Sequence, residues 1–287
     1  MYNQEQEELD LSYHQLRGLP QEIGQLKNLE ALDLSYNHFG SLPPEIGELR
    51  SLQTLDLSYN QLDTLPSEIG HLKNLKILKL SGNQLESLPS EIGQLKNLNA
   101  LNLHINKLKS LPSEIGQLES LMELELSYNQ FESLPSEIGQ FKNLRIFNLF
   151  DNQLKILPPE IGQLKSLKRL ELSNNQLENL PSEIGQLKGL IELELSFNRL
   201  ESLPSEIGQL KNLEILNLSN NQLKNLPSTI GQLISLRRFF LMVNKLTAIP
   251  NEFVGLQELR NLKITKNMIP DSELQKLEWL LPNVACS

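Results

Sequence analysis

The sequence is poor in the residues that most site chemistry requires. One cysteine, Cys286, stands among 287 residues, so the chain can close no internal disulfide. Its four histidines, His14, His38, His71 and His104, are scattered, and none falls at a metal-ligand spacing with the cysteine. No apolar run approaches the roughly 18 to 20 residues that a membrane span requires. Basic charge is in deficit: 26 Lys and Arg against 35 Asp and Glu leave a net charge of -9. A general nucleic-acid binder would carry a basic footprint, so that class is set aside. Residues 1–8 are polar and acidic, without the basic start and apolar segment of a secretory signal peptide. Two origins fit this: a cytoplasmic protein whose native start is Met1, or a mature or trimmed form that works at the cell surface or outside the cell.

What the chain has in abundance is a repeat. Asn37, Asn60, Asn83, Asn106, Asn129, Asn152, Asn175, Asn198, Asn221, Asn244 and Asn267 lie 23 positions apart, and His14 occupies the same phase at the start. Twelve units follow one another without an insertion. The unit at residues 203–225, LPSEIGQLKNLEILNLSNNQLKN, shows how each folds. In LEILNLSNNQL, Leu213, Leu216, Leu218 and Leu223 point inward, whereas Ile215, Asn217 and Ser219 alternate outward as on a short strand. Every copy therefore adds one strand to a parallel sheet. The asparagine after the strand turns inward, where its amide bonds backbone groups left unpaired as the chain leaves the sheet. In LPSEIGQLKN, Leu203, Ile207 and Leu210 line the inside of a short helical turn, which Pro204 begins and Gly208 keeps compact.

Both ends depart from the pattern. In the first unit Gln6 stands where Leu is expected and His14 replaces Asn. Its strand, residues 8–12, is expected to be an uncovered edge. Glu7, Glu8 and Asp10 guard it, and it is the expected site of any weak self-association. At the other end, Asp271 or Ser272 precedes a helical pattern with Leu274, Leu277 and Leu281 on one face, and Pro282 stops it. This reads as a C-terminal cap, residues 270–287, sealing a solenoid of residues 1–269, with Trp279 in the seal or its rim. Val254, where other copies carry Gly, marks the same departure.

Through LPSEIGQLKNL and LxLSxNQL the sequence resembles the 23-residue, LPxEIG-type leucine-rich repeat proteins of bacteria, including those of pathogenic spirochaetes, over about nine tenths of its length. In repeat class it also resembles the intracellular Ras-group repeats of eukaryotes. The resemblance implies an α/β solenoid: a horseshoe of twelve units with a parallel β-sheet on the concave face and short helical turns on the convex one. It implies a protein-binding surface, in pathogens commonly one directed at host molecules, with an intracellular scaffold as the alternative. The paired-cysteine caps of animal extracellular members are absent. So is a separate catalytic domain with a reactive cysteine, as bacterial ubiquitin ligases of this class carry; Cys286 reads as inert.

Since the packing positions barely change, recognition must lie in the outward columns. Two residues before the Asn, a Ser background is broken by His104, Phe150 and Met242, with Ile105, Asp151 and Val243 beside them. Tyr13, Tyr36, Tyr59, Tyr128 and Phe197 share that neighbouring phase. Four residues before it lie Asp10, Asp33, Asp56, Glu125, Glu171, Glu194 and Phe240, and six before it Glu123 and Glu192. Asp and Tyr thus gather near the N-terminus, an acidic middle follows, and the C-terminal part turns apolar and then basic. The expected contact set for a protein partner is Tyr36, Tyr59, His104, Ile105, Glu125, Phe150, Asp151, Glu171, Glu194, Phe240 and Met242, anchored on Phe150, Phe240 and Met242. Stacked Asp10, Asp33 and Asp56 could hold calcium weakly, but ordered carboxylates on a solvated sheet are the favoured reading. Glu123 with Glu125, and Glu192 with Glu194, have the residue types of an acid and base couple but lie on an open surface. No enzyme activity, cofactor or metal is expected.

Overall fold

The computed structural model describes residues 5–282 and 284–286, without the side chains of Glu278 and Cys286. Residues 1–4 of the polar N-terminal stretch, and the reading of the Cys286 thiol as inert, therefore lie outside what is described. Strands of three residues recur every 23 positions, and the chain divides into two compact units, residues 1–146 and 147–287.

In the first unit β1 (Glu8–Asp10), β2 (Ala31–Asp33), β3 (Thr54–Asp56), β4 (Ile77–Lys79), β5 (Ala100–Asn102) and β6 (Glu123–Glu125) pair in sequence order, all parallel. In the second, β7 (Ile146–Asn148, whose first residue closes the first unit) is followed by β8 (Arg169–Glu171), β9 (Glu192–Glu194), β10 (Ile215–Asn217), β11 (Arg238–Phe240) and β12 (Asn261–Lys263). From β8 onward these also pair parallel in order, and a short strand that the sequence did not announce, β13 (Ala285–Cys286), pairs with β12. Between successive strands as far as β12 lies a five-residue 3-10 turn, such as Ser90–Gln94 or Ser205–Gln209. Pro204 flanks its turn in extended backbone, φ -66 and ψ 146, rather than opening it from inside.

The inward positions are as the repeat requires. Leu213, Leu216, Leu218, Leu223, Ile207 and Leu210 are 0% exposed. The glycine of the turn sets how closely successive turns stack. A Cβ built on Gly93 would lie 2.3 Å from the Glu114 carbonyl oxygen, and one on Gly208 would lie 2.3 Å from that of Thr229. Only a residue without a side chain admits that approach.

The asparagines form a ladder. Asn83 Nδ2 donates to the carbonyls of Leu57 at 2.9 Å and Leu80 at 3.0 Å, while its Oδ1 accepts the Leu62 N–H at 3.0 Å. In the second unit Asn198 repeats the pattern on Leu172, Leu195 and Leu177. Each amide thus binds its own turn and the preceding repeat at once. This geometry imposes a second condition that the sequence reading missed. The residue just before each Asn is left-handed: Tyr13, Tyr36, Tyr59, Ile105 and Tyr128 have φ between 52 and 56, and Gly82 takes the same position at φ 66.

Ser219 corrects the expected alternation, since it is 5% exposed rather than outward, as are Ser35, Ser58 and Ser173 at 5 to 6%. Period-two alternation lasts only as long as the strand, and the strand ends at Asn217. Ser219 lies two residues beyond it and is covered there.

The ends also differ from expectation. Leu9, Leu11, Leu16 and Leu19 of the first layer are only half-buried, and β1 pairs on one side. At the other end α1 (Asp271–Leu280) is preceded by Pro270, without a side-chain cap from Asp271 or Ser272. Its sealing face is Leu277, Leu280 and Leu281; Leu274 is 39% exposed and Trp279, at 79%, takes no part in the seal. The helix is tied down instead by Glu273, whose Oε2 accepts the Ile249 N–H at 3.1 Å, and by Lys276, which donates to the Ile249 carbonyl at 2.9 Å.

Two outcomes follow from the layered packing. Asn129→Ala strips the partners from the Leu108 N–H and from the Leu103 and Leu126 carbonyls. At about 1 to 3 kcal/mol for each buried group left unpaired, urea unfolding should show a loss well beyond that of a surface substitution. Leu172→Ala should cost about 2 to 5 kcal/mol, and hydrogen exchange should quicken in the neighbouring repeats rather than evenly along the chain.

Candidate functional site

The outward columns of the sheet carry different chemistry in the two units. In the first, Asp10, Asp33 and Asp56 stand side by side in register on β1, β2 and β3. Their carboxylates are already engaged. Oδ1 of Asp10 accepts the Ser12 N–H at 2.8 Å, that of Asp33 the Ser35 N–H at 2.8 Å, and that of Asp56 the Ser58 N–H at 3.0 Å. The bond from Ser12 holds the Asp10 carboxyl below its ordinary range. Lys79 closes the row with an ion pair to Asp56 at 3.0 Å. Among the described residues no group of His, Cys, Asp and Glu is arranged to hold a metal ion.

Asn102, Glu125, Asn148, Glu171 and Asn217 continue the column, and each accepts the N–H two residues on. The column that carries Asp, Asn and Glu is therefore first a backbone brace, which explains its residue types.

Beside the aspartates Tyr13, Tyr36 and Tyr59 stack, with ring centroids 4.3 and 4.6 Å apart and planes within 14°. Left-handed backbone throws these rings outward; Tyr36 and Tyr59 are 43% and 42% exposed. Desolvation in the stack, then the hydrogen bond with Tyr13, raises the Tyr36 hydroxyl above its ordinary pKa. The stack ends on Gly82, where a Cβ would lie 2.6 Å from the Tyr59 ring. Further on, half-buried His104 bonds Ser127 Oγ through Nδ1 at 2.6 Å and meets the Tyr128 ring edge-on, 5.2 Å between centroids. Ile105 next to it is 43% exposed.

In the second unit Phe150, Asp151, Phe240 and Met242 lie on the same columns, but all four are half-buried rather than freely exposed. They offer anchoring ground, not projecting knobs. Glu171 and Glu194 are neighbours in register, as are Arg169 and Glu192. Arg169 serves both sides, 3.6 Å from Glu192 and 3.9 Å from Glu171. The sequence placed these charges on one face without seeing that Arg169 relieves them. Glu194 is pushed above its ordinary carboxyl range, by desolvation first and by Glu171 and Glu192 next, against the opposing hydrogen bond with Asn217 and the charge of Arg169. Outside the sheet face, an open depression lined by Glu45, Glu48, Glu68 and His71 is built by the 3-10 turns at residues 44–48 and 67–71.

The sequence matches the leucine-rich repeat region family over residues 23–82, 67–153 and 192–281, and the two-copy leucine-rich repeat family over residues 142–185. The chain belongs to the leucine-rich repeat family. Among solved structures this leucine-rich repeat chain is similar to a leucine-rich repeat protein of Leptospira interrogans, at 43% identity and a TM-score of 0.66, covering 95% of this chain and 81% of that one. It is similar to the plant peptide hormone receptor RGFR1 in complex with RGF2, at 36% identity and a TM-score of 0.83, covering 97% of this chain and 46% of the receptor. An internalin of Listeria monocytogenes is 25% identical with a TM-score of 0.74, covering 98% and 86%. The chain thus spans about half the length of the plant receptor and most of the two bacterial proteins. No curated protein matches it at a significant level.

Glu194 supplies a test of the electrostatics. A raised carboxyl pKa means that the folded chain binds more protons than the unfolded one between the ordinary value of 4.5 and the raised value. Stability therefore falls as pH rises through that window. Glu194→Gln should unfold at a higher temperature than the parent at pH 7, and the two melting curves should converge below pH 4.5.

Proposed function

We propose that the chain is a protein-recognition module that binds through the outward sheet positions, as an exported bacterial factor engaging host proteins. The observation that carries this is the contrast between columns. Core leucines and ladder asparagines repeat in unit after unit, while the outward sites change to His104, Ile105, Phe150, Phe240 and Met242, where apolar and aromatic groups lie at or near the surface. Aromatic and apolar anchors ringed by polar groups are the usual chemistry of binding hot spots. In the first unit Tyr36, Tyr59 and Glu125 share the outward columns with His104 and Ile105, and in the second Asp151, Glu171 and Glu194 share them with Phe150, Phe240 and Met242.

Two kinds of likeness support the reading. The similar plant receptor was solved in complex with RGF2, and the internalin and the Leptospira protein place comparable repeats in bacteria. The LPxEIG class of repeat fits the same assignment. Catalysis has no part in this reading: Glu125 and Glu171 each brace a backbone N–H, and the glutamates lie on an open face.

The test is capture from host-cell and matrix extracts on the immobilised chain, with a Phe150→Ala, Phe240→Ala chain of unchanged fold as control. A protein retained by the parent and lost by the variant is the expected result. Equal retention by both removes the sheet face from the account.

A further inference from the structure

One patch of the second unit runs against the charge of the chain. Arg238 on β11 and Lys263 on β12 flank Phe240, which is in register with Lys263. Lys263 Nζ lies 5.7 Å from the Phe240 ring centroid, a cation over an aromatic face. Among the described residues neither Arg238 nor Lys263 is ion-paired, whereas Arg169, Lys224 and Arg237 of the same unit each hold a glutamate. Between these two cations the ground is apolar: Phe240 and Met242 are half-buried and Val243 is 39% exposed.

Two further features single the patch out. Ser219 lies alongside Met242, fixed by the bonds from Leu218 N to the Phe240 carbonyl and from Asn220 N to the Met242 carbonyl, both 2.8 Å. Its hydroxyl is buried without a hydrogen-bond partner, although Ser196 one repeat earlier donates to Ser173 at 3.0 Å. Val243 holds φ 56, a strained conformation for a β-branched residue, as it is for Ile105 in the first unit; Asp151, Asn174, Phe197 and Asn220 fill the same position earlier in the second. An exposed apolar side chain on strained backbone is a feature that binding sites hold, and here it adjoins Phe240 and Met242.

We propose that this patch docks an acidic segment of a protein partner, with one bulky apolar side chain seated on Phe240, Met242 and Val243 and flanking carboxylates meeting Arg238 and Lys263. The proposal rests on the sheet face being a protein-binding surface and names the chemistry of what binds there. Charge complementarity decides the occupant. A chain of net charge -9 repels acidic segments in general, so unpaired cations beside apolar ground choose where one lands. A basic segment would meet like charge at both flanks.

A random peptide display library selected on the intact immobilised chain tests this, with the enriched peptides then titrated by fluorescence polarisation. The expected peptides carry Asp or Glu on both sides of a bulky apolar residue. They should lose about tenfold or more in affinity on the Arg238→Ser, Lys263→Ser chain and weaken as salt is added. Val243→Asn should raise the unfolding midpoint while weakening the same peptides; a gain in stability with affinity intact overturns the role given to the valine. Acidic peptides that bind the double variant equally well overturn the proposal. Neutral or basic peptides lost on Phe150→Ala or His104→Ala overturn it too, but keep the sheet face as a binding surface. A selection in which no peptide responds to any sheet-face substitution overturns both readings.

Discussion

The asparagine ladder is the interaction on which the rest of the structure depends. A strand of three residues is too short to hold its own ends, so the chain leaves the sheet with carbonyl and N–H groups exposed to a dry interior. One amide per repeat satisfies them on both sides: in the first unit Asn60 donates to Leu34 and Leu57 while accepting from Phe39. That bond fixes the turn, the turn makes the preceding residue left-handed, and the left-handed residue throws its side chain outward. The backbone demand that closes each layer thereby creates an outward column that packing does not constrain.

The same logic separates what must repeat from what is free to vary. Leu and Ile fill layers that touch only their neighbours, and the turn glycine lets one 3-10 turn sit against the next, as Gly162 does against Glu183. A change at any of these positions is felt in the adjacent layers. Outward positions carry a lighter duty. Even there part of the chemistry is structural, since the Asp, Asn and Glu column braces the N–H two residues on and Arg169 bridges glutamates on neighbouring strands. What remains after those duties is a tyrosine stack beside aspartates in the first unit and apolar ground with unpaired cations in the second.

Much of this was legible in the sequence. The 23-residue spacing gave the strand positions, and the columns of Leu213, Leu216, Leu218 and Leu223 gave the core. Three kinds of feature were not legible. The burial of Ser219 depends on where a three-residue strand stops, which alternation alone does not mark. The left-handed column could have been suspected from Gly82, Asn174 and Asn220 at one phase, but Tyr36 and Ile105 in the same column masked it. At the C-terminus an apolar pattern identified a helix without saying which turn would touch the last layer, so Leu280 replaces Leu274 in the seal and Trp279 faces away. Of the candidate contact residues, the structure sets Tyr36 beside Tyr59, His104 beside Ile105 and Glu171 beside Glu194. Phe150, Phe240 and Met242 are half-buried, more sheltered than their residue types suggested.

The central claim is that folding fixes the inward, ladder and glycine columns and leaves the outward ones to recognition. Saturation mutagenesis of the whole chain, read by resistance of the displayed protein to protease, tests it most directly. The account predicts intolerance at Leu149, Asn198 and Gly208 and at their counterparts in every full repeat, with Tyr36, His104, Phe150, Phe240 and Met242 accepting polar residues without loss of fold. If Phe150 and Phe240 proved as intolerant as Leu149, the outward variation would be packing after all, and the sheet face would lose its claim to be the binding surface.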